Sequence, residues 1–271
     1  MERFGPSILV EAGGRKFLFD CGRGATQRLY QLQIPYNDVD ALFLTHLHSD
    51  HTVGIADLWL TGWVMGRHVP LRVWGPAGTI EMMDHLQKAY AFDVHIRRDV
   101  DEQLPADGAK IEAHDIGQGV AYDQDGVKIT AFTVDHGVVK PAFGYRVDYA
   151  GHSVVLSGDT RFSENLIQFA QGTDVLVHEV LDLGAYFGAD QVYTPAQKQK
   201  VVEHHTTAEQ AGEIFARVKP RLAVFSHIVP PDAPNAVAQA RKHYSGQVEM
   251  GEDLMAIDIG ARVEVHRREV K

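Results

Sequence analysis

The chain has a single cysteine, Cys21, in 271 residues. No disulfide can form within it, and no metal cluster built on several thiolates is available to it. Long apolar runs are also missing: none approaches the roughly 20 residues that cross a bilayer, which argues against a membrane partner. Positive charge is scarce. Lys and Arg number 26 against 36 Asp and Glu, a formal net charge of −10. Proteins that grip a nucleic-acid backbone carry a basic surface, so the bulk charge speaks against nucleic acid and against any large polyanion. The short basic pairs Arg97–Arg98 and Arg267–Arg268 read as solvated surface charge. Met1 to Pro6 lack the apolar core of a signal peptide. The reading favours a soluble, cytoplasmic chain and leaves a trimmed exported form open. No Pro/Gly linker, repeat or low-complexity tract divides the sequence. With 45% apolar and 23% charged residues, it is expected to form one folded domain over 1–271.

Histidine, in contrast, is abundant, with 15 residues, and this is the first pointer to metal. Ser7 to Asp20 reads as a hairpin, with Ile8–Val10 and Phe17–Phe19 as strands around the turn Ala12-Gly13-Gly14. A short helix is expected over Thr26–Leu32. Five later segments share a pattern, an apolar strand that ends on a metal-capable side chain. They are Ala41–Thr45 into His46, Ile129–Asp135 into His136, Val154–Gly158 into Asp159, Val175–Val177 into His178-Glu179, and Leu222–Ser226 into His227. Strand ends that repeat in this way suggest sheet edges converging on one site. Helices are expected at Val53–Met65, Thr79–Tyr90, Ser163–Ala170, Ala208–Arg217 and Ala236–Tyr244. Thr207 to Gln210 has the form of a capping box. Asp99–Gly126 reads as the least regular stretch, running over the surface. Alternating strands and helices give an α/β or α+β class with stacked sheets.

The densest chemistry lies in His46-Leu47-His48-Ser49-Asp50-His51. Residues two apart in an extended chain point the same way, so His46 and His48 can face one metal. Asp50 and His51 then turn toward a second position, with Gly54 allowing the turn before the next helix. Imidazole and carboxylate donors without thiolate suit zinc, with manganese or iron as substitutes. A second metal needs further ligands, and His136, Asp159 and His227 offer them. Gly158 lets the backbone come close at Asp159, whose carboxylate could bridge both ions. Two Zn²⁺, two carboxylates and a bridging hydroxide leave a centre of about +1, which attracts an anionic or strongly polarised ester and favours hydrolysis.

At these residues the chain resembles the metallo-β-lactamase superfamily along nearly its whole length. Within it, the similarity is greatest to the ribonuclease Z and arylsulfatase-like branch. It is carried by Leu18-Phe19-Asp20-Cys21-Gly22-Arg23-Gly24-Ala25-Thr26-Gln27, by His178-Glu179 and by His205-Thr206-Thr207-Ala208-Glu209-Gln210-Ala211. The resemblance implies an α+β fold, an αββα sandwich of two mixed β-sheets flanked by helices. It also implies that one zinc takes His46, His48 and His136, that the other takes Asp50, His51 and His227, and that Asp159 bridges them. By the same resemblance His205 assists the leaving group, Glu179 orients His205, and Asp20 braces the metal loop. A homodimer is implied too. Two features depart from the family. Ribonuclease Z carries a long arm for tRNA between the equivalents of His136 and Asp159, where this chain has only Gly137–Gly158, read as a strand pair. The usual first strand before Arg3-Phe4-Gly5-Pro6 is also lacking from the sequence.

The expectation is therefore a dinuclear zinc hydrolase of small phosphate or sulfate esters, in the manner of a phosphodiesterase or arylsulfatase, that uses a metal-bridging hydroxide. Asp50, His205 and Glu179 are its catalytic candidates. The alternatives are lactonase or β-lactamase activity on the same centre, tRNA 3′ processing, or a non-catalytic metal-binding sensor. Trp59 and Trp63, four apart on a helix, read as core, with stacking on an aryl group as the rival reading. Arg23 and Arg161 read as surface ion pairs, with oxyanion contacts as the rival.

Overall fold

The computed structural model describes residues 3–188 and 193–267; Met1, Glu2 and Arg268 lie outside them. Contacts divide the chain into two compact units, one of Arg3–Gly117 and one from Gln118 onward.

The first unit is built on a five-stranded sheet. Strands β1 (Ile8–Ala12) and β2 (Arg15–Phe19) form the expected hairpin, with Ala12 opposite Arg15. Gly13 and Gly14 both have positive φ, 60° and 73°. A two-residue turn of that type matches the twist of its strands and selects residues without a Cβ. Next come β3 (Ala41–Phe43), β4 (Leu71–Gly75) and β5 (Ile111–Asp115), all parallel, in the order β1-β2-β3-β4-β5. Parallel neighbours need crossovers. These are supplied by α1 (Ala25–Gln31), α2 (Ser49–Thr52), α3 (Ile55–Val64), α4 (Thr79–Ala89) and α5 (Ala91–His95). Leu18, Leu42 and Val73 from the strands bury against Leu29, Ile55, Trp59 and Met83 from the helices.

Two expectations change here, and one of two rival readings is settled. The helix expected over Val53–Met65 is α3 alone, preceded by the single turn α2. Gly54 has an ordinary φ of −81°, so its role is space rather than turning: a Cβ would stand 2.7 Å from the Gly22 carbonyl oxygen and 2.9 Å from that of Cys21. Trp59 and Trp63 have no exposed surface, and Trp63 Nε1 donates to the Pro105 carbonyl at 2.9 Å. Both are core, and neither can stack on a substrate.

The second unit has a seven-stranded sheet. Strands β6 (Gly119–Gln124), β7 (Val127–His136), β8 (Val139–Tyr149) and β9 (His152–Leu156) form an antiparallel meander. Parallel strands β10 (Val175–Leu181), β11 (Leu222–Val229) and β12 (Val248–Met250) extend it, in the order β12-β11-β10-β9-β8-β7-β6. A separate ribbon joins β13 (Ala256–Ile259) and β14 (Val263–His266). The connecting helices are α6 (Glu164–Phe169), α7 (Leu183–Gly188), α8 (Pro195–Val202), α9 (Ala208–Val218) and α10 (Ala236–Ala240). The last is shorter than expected, since the chain leaves the helix after Ala240. Helix α9 buries Ala208, Ala211, Gly212, Ile214, Phe215 and Val218, one face at helical spacing. The expected capping box starts it: Gln210 N donates to Thr207 Oγ1 at 3.3 Å, and Thr207 N donates to Gln210 Oε1 at 3.0 Å.

The stretch Asp99–Gly126 corrects the sequence reading, because it holds β5 and β6. Both are outermost strands of their sheets. Only Ile111 of β5 and Tyr122 of β6 are buried, so neither carries the apolar signature of an inner strand. Conversely, the tight segment expected between His136 and Asp159 is present. Strands β8 and β9 meet with Tyr149 opposite His152, across Ala150 and Gly151 at φ 51° and 82°. Arg97, Arg98 and Arg267 are surface charge, as expected: Arg97 reaches Asp93 and Glu102, Arg98 reaches Asp99, and Arg267 reaches Glu249 and Glu252, while Arg268 lies outside the described residues.

Phe215 has no exposed surface, and its ring lies 5.4 Å from Phe225 and 5.9 Å from Tyr244. Replacing it with alanine should cost about 3–5 kcal/mol. A urea titration will read this as a lowered midpoint; a change under about 1 kcal/mol would show that α9 does not anchor this core.

Candidate functional site

In the first unit the metal-capable residues cluster after β3. The His46 ring centroid lies 4.6 Å from that of His48 and 4.1 Å from that of His51. His51 Nε2 lies 3.7 Å from Asp50 Oδ2. His46 and His51 are buried, while His48 and Asp50 are exposed. Segment 20–22 holds this loop in place. Cys21 N donates to the His51 carbonyl and Gly54 N to the Cys21 carbonyl, both at 2.8 Å. A Cβ on Gly22 would lie 2.3 Å from the Asp50 carbonyl oxygen, so only glycine fits there. Cys21 is buried, and burial, then the nearby Asp20 and Asp57, push its thiol pKa up. It is a packing residue and not a thiolate donor.

Asp20 has φ 58° and is 5% exposed. Its Oδ1 accepts from Thr45 N at 2.8 Å; its Oδ2 accepts from Thr45 Oγ1 at 2.9 Å and faces His51 Nδ1 at 2.8 Å. Thr45 Oγ1 lies 3.0 Å from His46 Nδ1. A carboxylate only accepts, so the His51 proton sits on Nδ1. The Thr45 hydroxyl gives its own proton to Asp20, so it accepts one from His46 Nδ1. Both rings therefore present the Nε2 lone pair, the state a ligand needs.

The second unit gathers the remaining candidates. His136 ends β7, and its Nδ1 lies 3.0 Å from the His204 carbonyl oxygen. A carbonyl cannot donate, so Nδ1 carries the proton and Nε2 carries a lone pair. That Nε2 lies 4.0 Å from Asp159 Oδ2, with both side chains under 4% exposed. Asp159 follows Gly158, which has φ 60°. His227 Nε2 lies 3.3 Å from the same Asp159 oxygen. Glu179 pairs with Ser226 and Val180 with Ile228, so His227 is the residue skipped in the β10–β11 ladder, at φ 41°. The extra residue re-aims its side chain out of the sheet register.

His205 stacks on His227, with centroids 5.4 Å apart and planes at 13°. Its Nδ1 lies 3.3 Å from Glu179 Oε2. The other oxygen, Glu179 Oε1, accepts from Thr206 N at 2.8 Å and from Thr160 N at 3.3 Å. Glu179 is thus positioned toward His205. Its neighbour His178 points the opposite way, fully buried against Phe215, and burial lowers its pKa. Sequence alone gives Thr45, Thr160 and Thr206 no task at the site. In the structure they hold Asp20 and Glu179. Among the rival anion contacts, Arg23 is exposed, and Arg161 Nη1 reaches Asp135 Oδ2 only at 3.8 Å.

The donor chemistry fits a divalent cation. His136 Nε2 and the Asp159 carboxylate both offer electron pairs toward a shared buried space, and a cation is what satisfies two acceptors there. Asp159, His205 and His227 also bring one donor atom each within 4.8 Å of one another.

Residues 15–228 match the model of the β-lactamase superfamily domain. The chain is 38% identical over 270 residues to the ribonuclease Z of Mycobacterium sp. (strain KMS), covering 97% of this chain and 91% of that protein. It belongs to the metallo-β-lactamase superfamily, in the ribonuclease Z branch. Two solved structures share its fold. One is the metallo-β-lactamase fold protein YhfI from Bacillus subtilis, with a TM-score of 0.71, 19% identity and coverage of 93% and 90%. The other is human short-form tRNase Z, with a TM-score of 0.66, 21% identity and coverage of 96% and 94%. The fold is thus the metallo-β-lactamase fold, α+β with mixed sheets and flanking helices. A metallo-β-lactamase superfamily chain of this kind is a hydrolase, and its fold implies a divalent metal.

Thr45→Val keeps the shape of the side chain and removes the hydroxyl that links Asp20 to His46. It should weaken metal affinity about 10- to 100-fold, while Thr45→Ser restores it. Competition against a chromogenic chelator measures this, and equal affinity in Thr45→Val would remove Thr45 from the role.

Proposed function

We propose that the chain is a dinuclear zinc phosphodiesterase of the ribonuclease Z type. The observation that carries the reading is the buried confrontation of His136 Nε2 with Asp159, next to a histidine positioned by Glu179. In this proposal His46, His48 and His136 hold one zinc and Asp50, His51 and His227 the other, with Asp159 bridging. Manganese or iron could substitute. Two such ions would supply hydroxide at neutral pH and offset the charge that builds on the phosphoryl oxygens. The protein's own residues do the rest. Glu179 stands 3.3 Å from His205 Nδ1 and orients the ring, and the imidazolium form of His205 would pass its Nε2 proton to the departing oxygen. Asp20 and Thr45 hold two ligand rings in one tautomer.

The relatives named ribonuclease Z move the favoured substrate from small esters toward RNA, as in the 3′ processing of tRNA precursors. The second reading, a small phosphate or sulfate ester, draws on a specific feature: the two-residue β8–β9 turn at Ala150–Gly151, which leaves no arm for tRNA. The net charge of −10 points the same way.

Zinc-loaded protein should be offered a tRNA precursor, bis(p-nitrophenyl) phosphate, an aryl sulfate, a lactone and a β-lactam. Cleavage of the precursor with salt-sensitive binding supports the first reading. Turnover of the diester alone, with no tRNA binding at low salt, selects the second; turnover of none of them sinks both. The His46→Ala/His48→Ala double variant should lose bound metal by elemental analysis and lower kcat/KM at least about 1,000-fold. In His205→Ala, kcat should fall about 100- to 10,000-fold with metal content unchanged.

A further inference from the structure

Beside His205 the second unit holds a cavity of about 500 Å³, lined by Arg161, Phe162, Val202, His205, Thr207 and Gln210. That volume lies within the range of small-ligand sites. One wall is apolar, formed by Phe162 and Val202. Another carries donors. Gln210 uses its Oε1 to accept from Thr207 N at 3.0 Å and Thr207 Oγ1 at 3.2 Å, which leaves its amide NH₂ as a donor group. Arg161 is half exposed and only loosely held by Asp135. Glu203 also lines the cavity and is paired with Lys200 at 2.9 Å, a pairing that offsets its charge.

An anion site alone would not include the apolar wall, and an alkyl group would make no use of an amide and a guanidinium. The combination suits a planar ring with acceptor atoms on its edge, attached to a phosphate. His205 is the residue placed to meet the departing oxygen, so a group in this cavity belongs to the leaving side of the ester. We propose that the cavity is a subsite for one nucleobase of the leaving group, stacked on Phe162 and read at its edge by Gln210. The inference rests on the phosphodiesterase reading.

The test is calorimetric and independent of turnover. Zinc-loaded protein is titrated with 5′-AMP, ribose 5-phosphate and phenylphosphonate. AMP should bind at least about tenfold more tightly than ribose 5-phosphate, and Phe162→Ala should remove the difference. Phe162→Leu serves the same purpose if the alanine variant fails to fold. Gln210→Glu preserves the carboxyl-type acceptor of the capping box and removes the NH₂ donor, so it should lower AMP affinity relative to phenylphosphonate about tenfold. If phenylphosphonate gains as much as AMP from Phe162 and Gln210→Glu changes neither ratio, the ring bound is an aryl group and the nucleobase assignment falls. Equal affinity for AMP and ribose 5-phosphate, or a preference that survives loss of the Phe162 ring, overturns the subsite altogether. Turnover of bis(p-nitrophenyl) phosphate without base preference removes the subsite and keeps the phosphodiesterase. Base preference in a protein that turns over nothing does the reverse.

Discussion

A buried carboxylate and an imidazole whose proton is already committed elsewhere repel one another unless positive charge lies between them. His136 gives its Nδ1 proton to the His204 carbonyl, and its Nε2 faces Asp159 with almost no solvent nearby. His204 lies directly before His205, so the backbone that sets the His136 tautomer also carries the histidine proposed to meet the leaving group. Glu179 then ties His205 to Thr160 and Thr206. The backbone at His204 and His205 thus joins a metal-type donor to the proton-transfer candidate that Glu179 faces. Disturbing one should disturb the orientation of the other.

Backbone strain is placed at the same positions. Asp20 and His227 adopt φ of 58° and 41°, which residues with a Cβ rarely do. Each sits where regular structure would aim its side chain wrongly. At His227 the β10–β11 ladder skips a residue; at Asp20 the chain turns away from β2 so that its carboxylate can receive Thr45 and His51. Such conformations cost about 1–3 kcal/mol each and persist where packing over-determines them. Here the surrounding strands and the close glycine contacts at Gly22 and Gly54 supply that determination.

What the sequence made legible follows from range. The His46–His51 motif is local, so its density and spacing can be read directly, and the hairpin and the α9 capping box are local for the same reason. The strand-end residues could be read because apolar runs announce buried strands, and each of those runs does become one. The supporting hydrogen bonds were illegible because they join residues far apart in the chain, such as Asp20 with Thr45 and Glu179 with Thr206. His178 and Glu179 look equivalent as a pair, yet strand alternation sends one into the core and the other to the site. Strands β5 and β6 were missed because outermost strands bury few side chains and are defined by their partners. In the sequence Gly54 has the look of a turn residue, whereas its constraint is the approach of another backbone segment.

These features bear on how substrate is chosen. With two residues joining β8 to β9, the second unit offers no long element there to embrace a folded nucleic acid. The acidic balance gives little general attraction for a polyanion, and the basic pairs at Arg97–Arg98 and Arg267 are occupied by carboxylates. On the proposed phosphodiesterase reading, affinity would come from the metal centre and from groups within a few ångströms of it. The cavity beside His205 is such a place, since it combines an apolar wall with an amide and a guanidinium. Recognition built this way reads the residue next to the scissile bond rather than the shape of a distant duplex. The same catalytic set could therefore serve an RNA end or a small diester, and the discrimination between them would be made by one pocket.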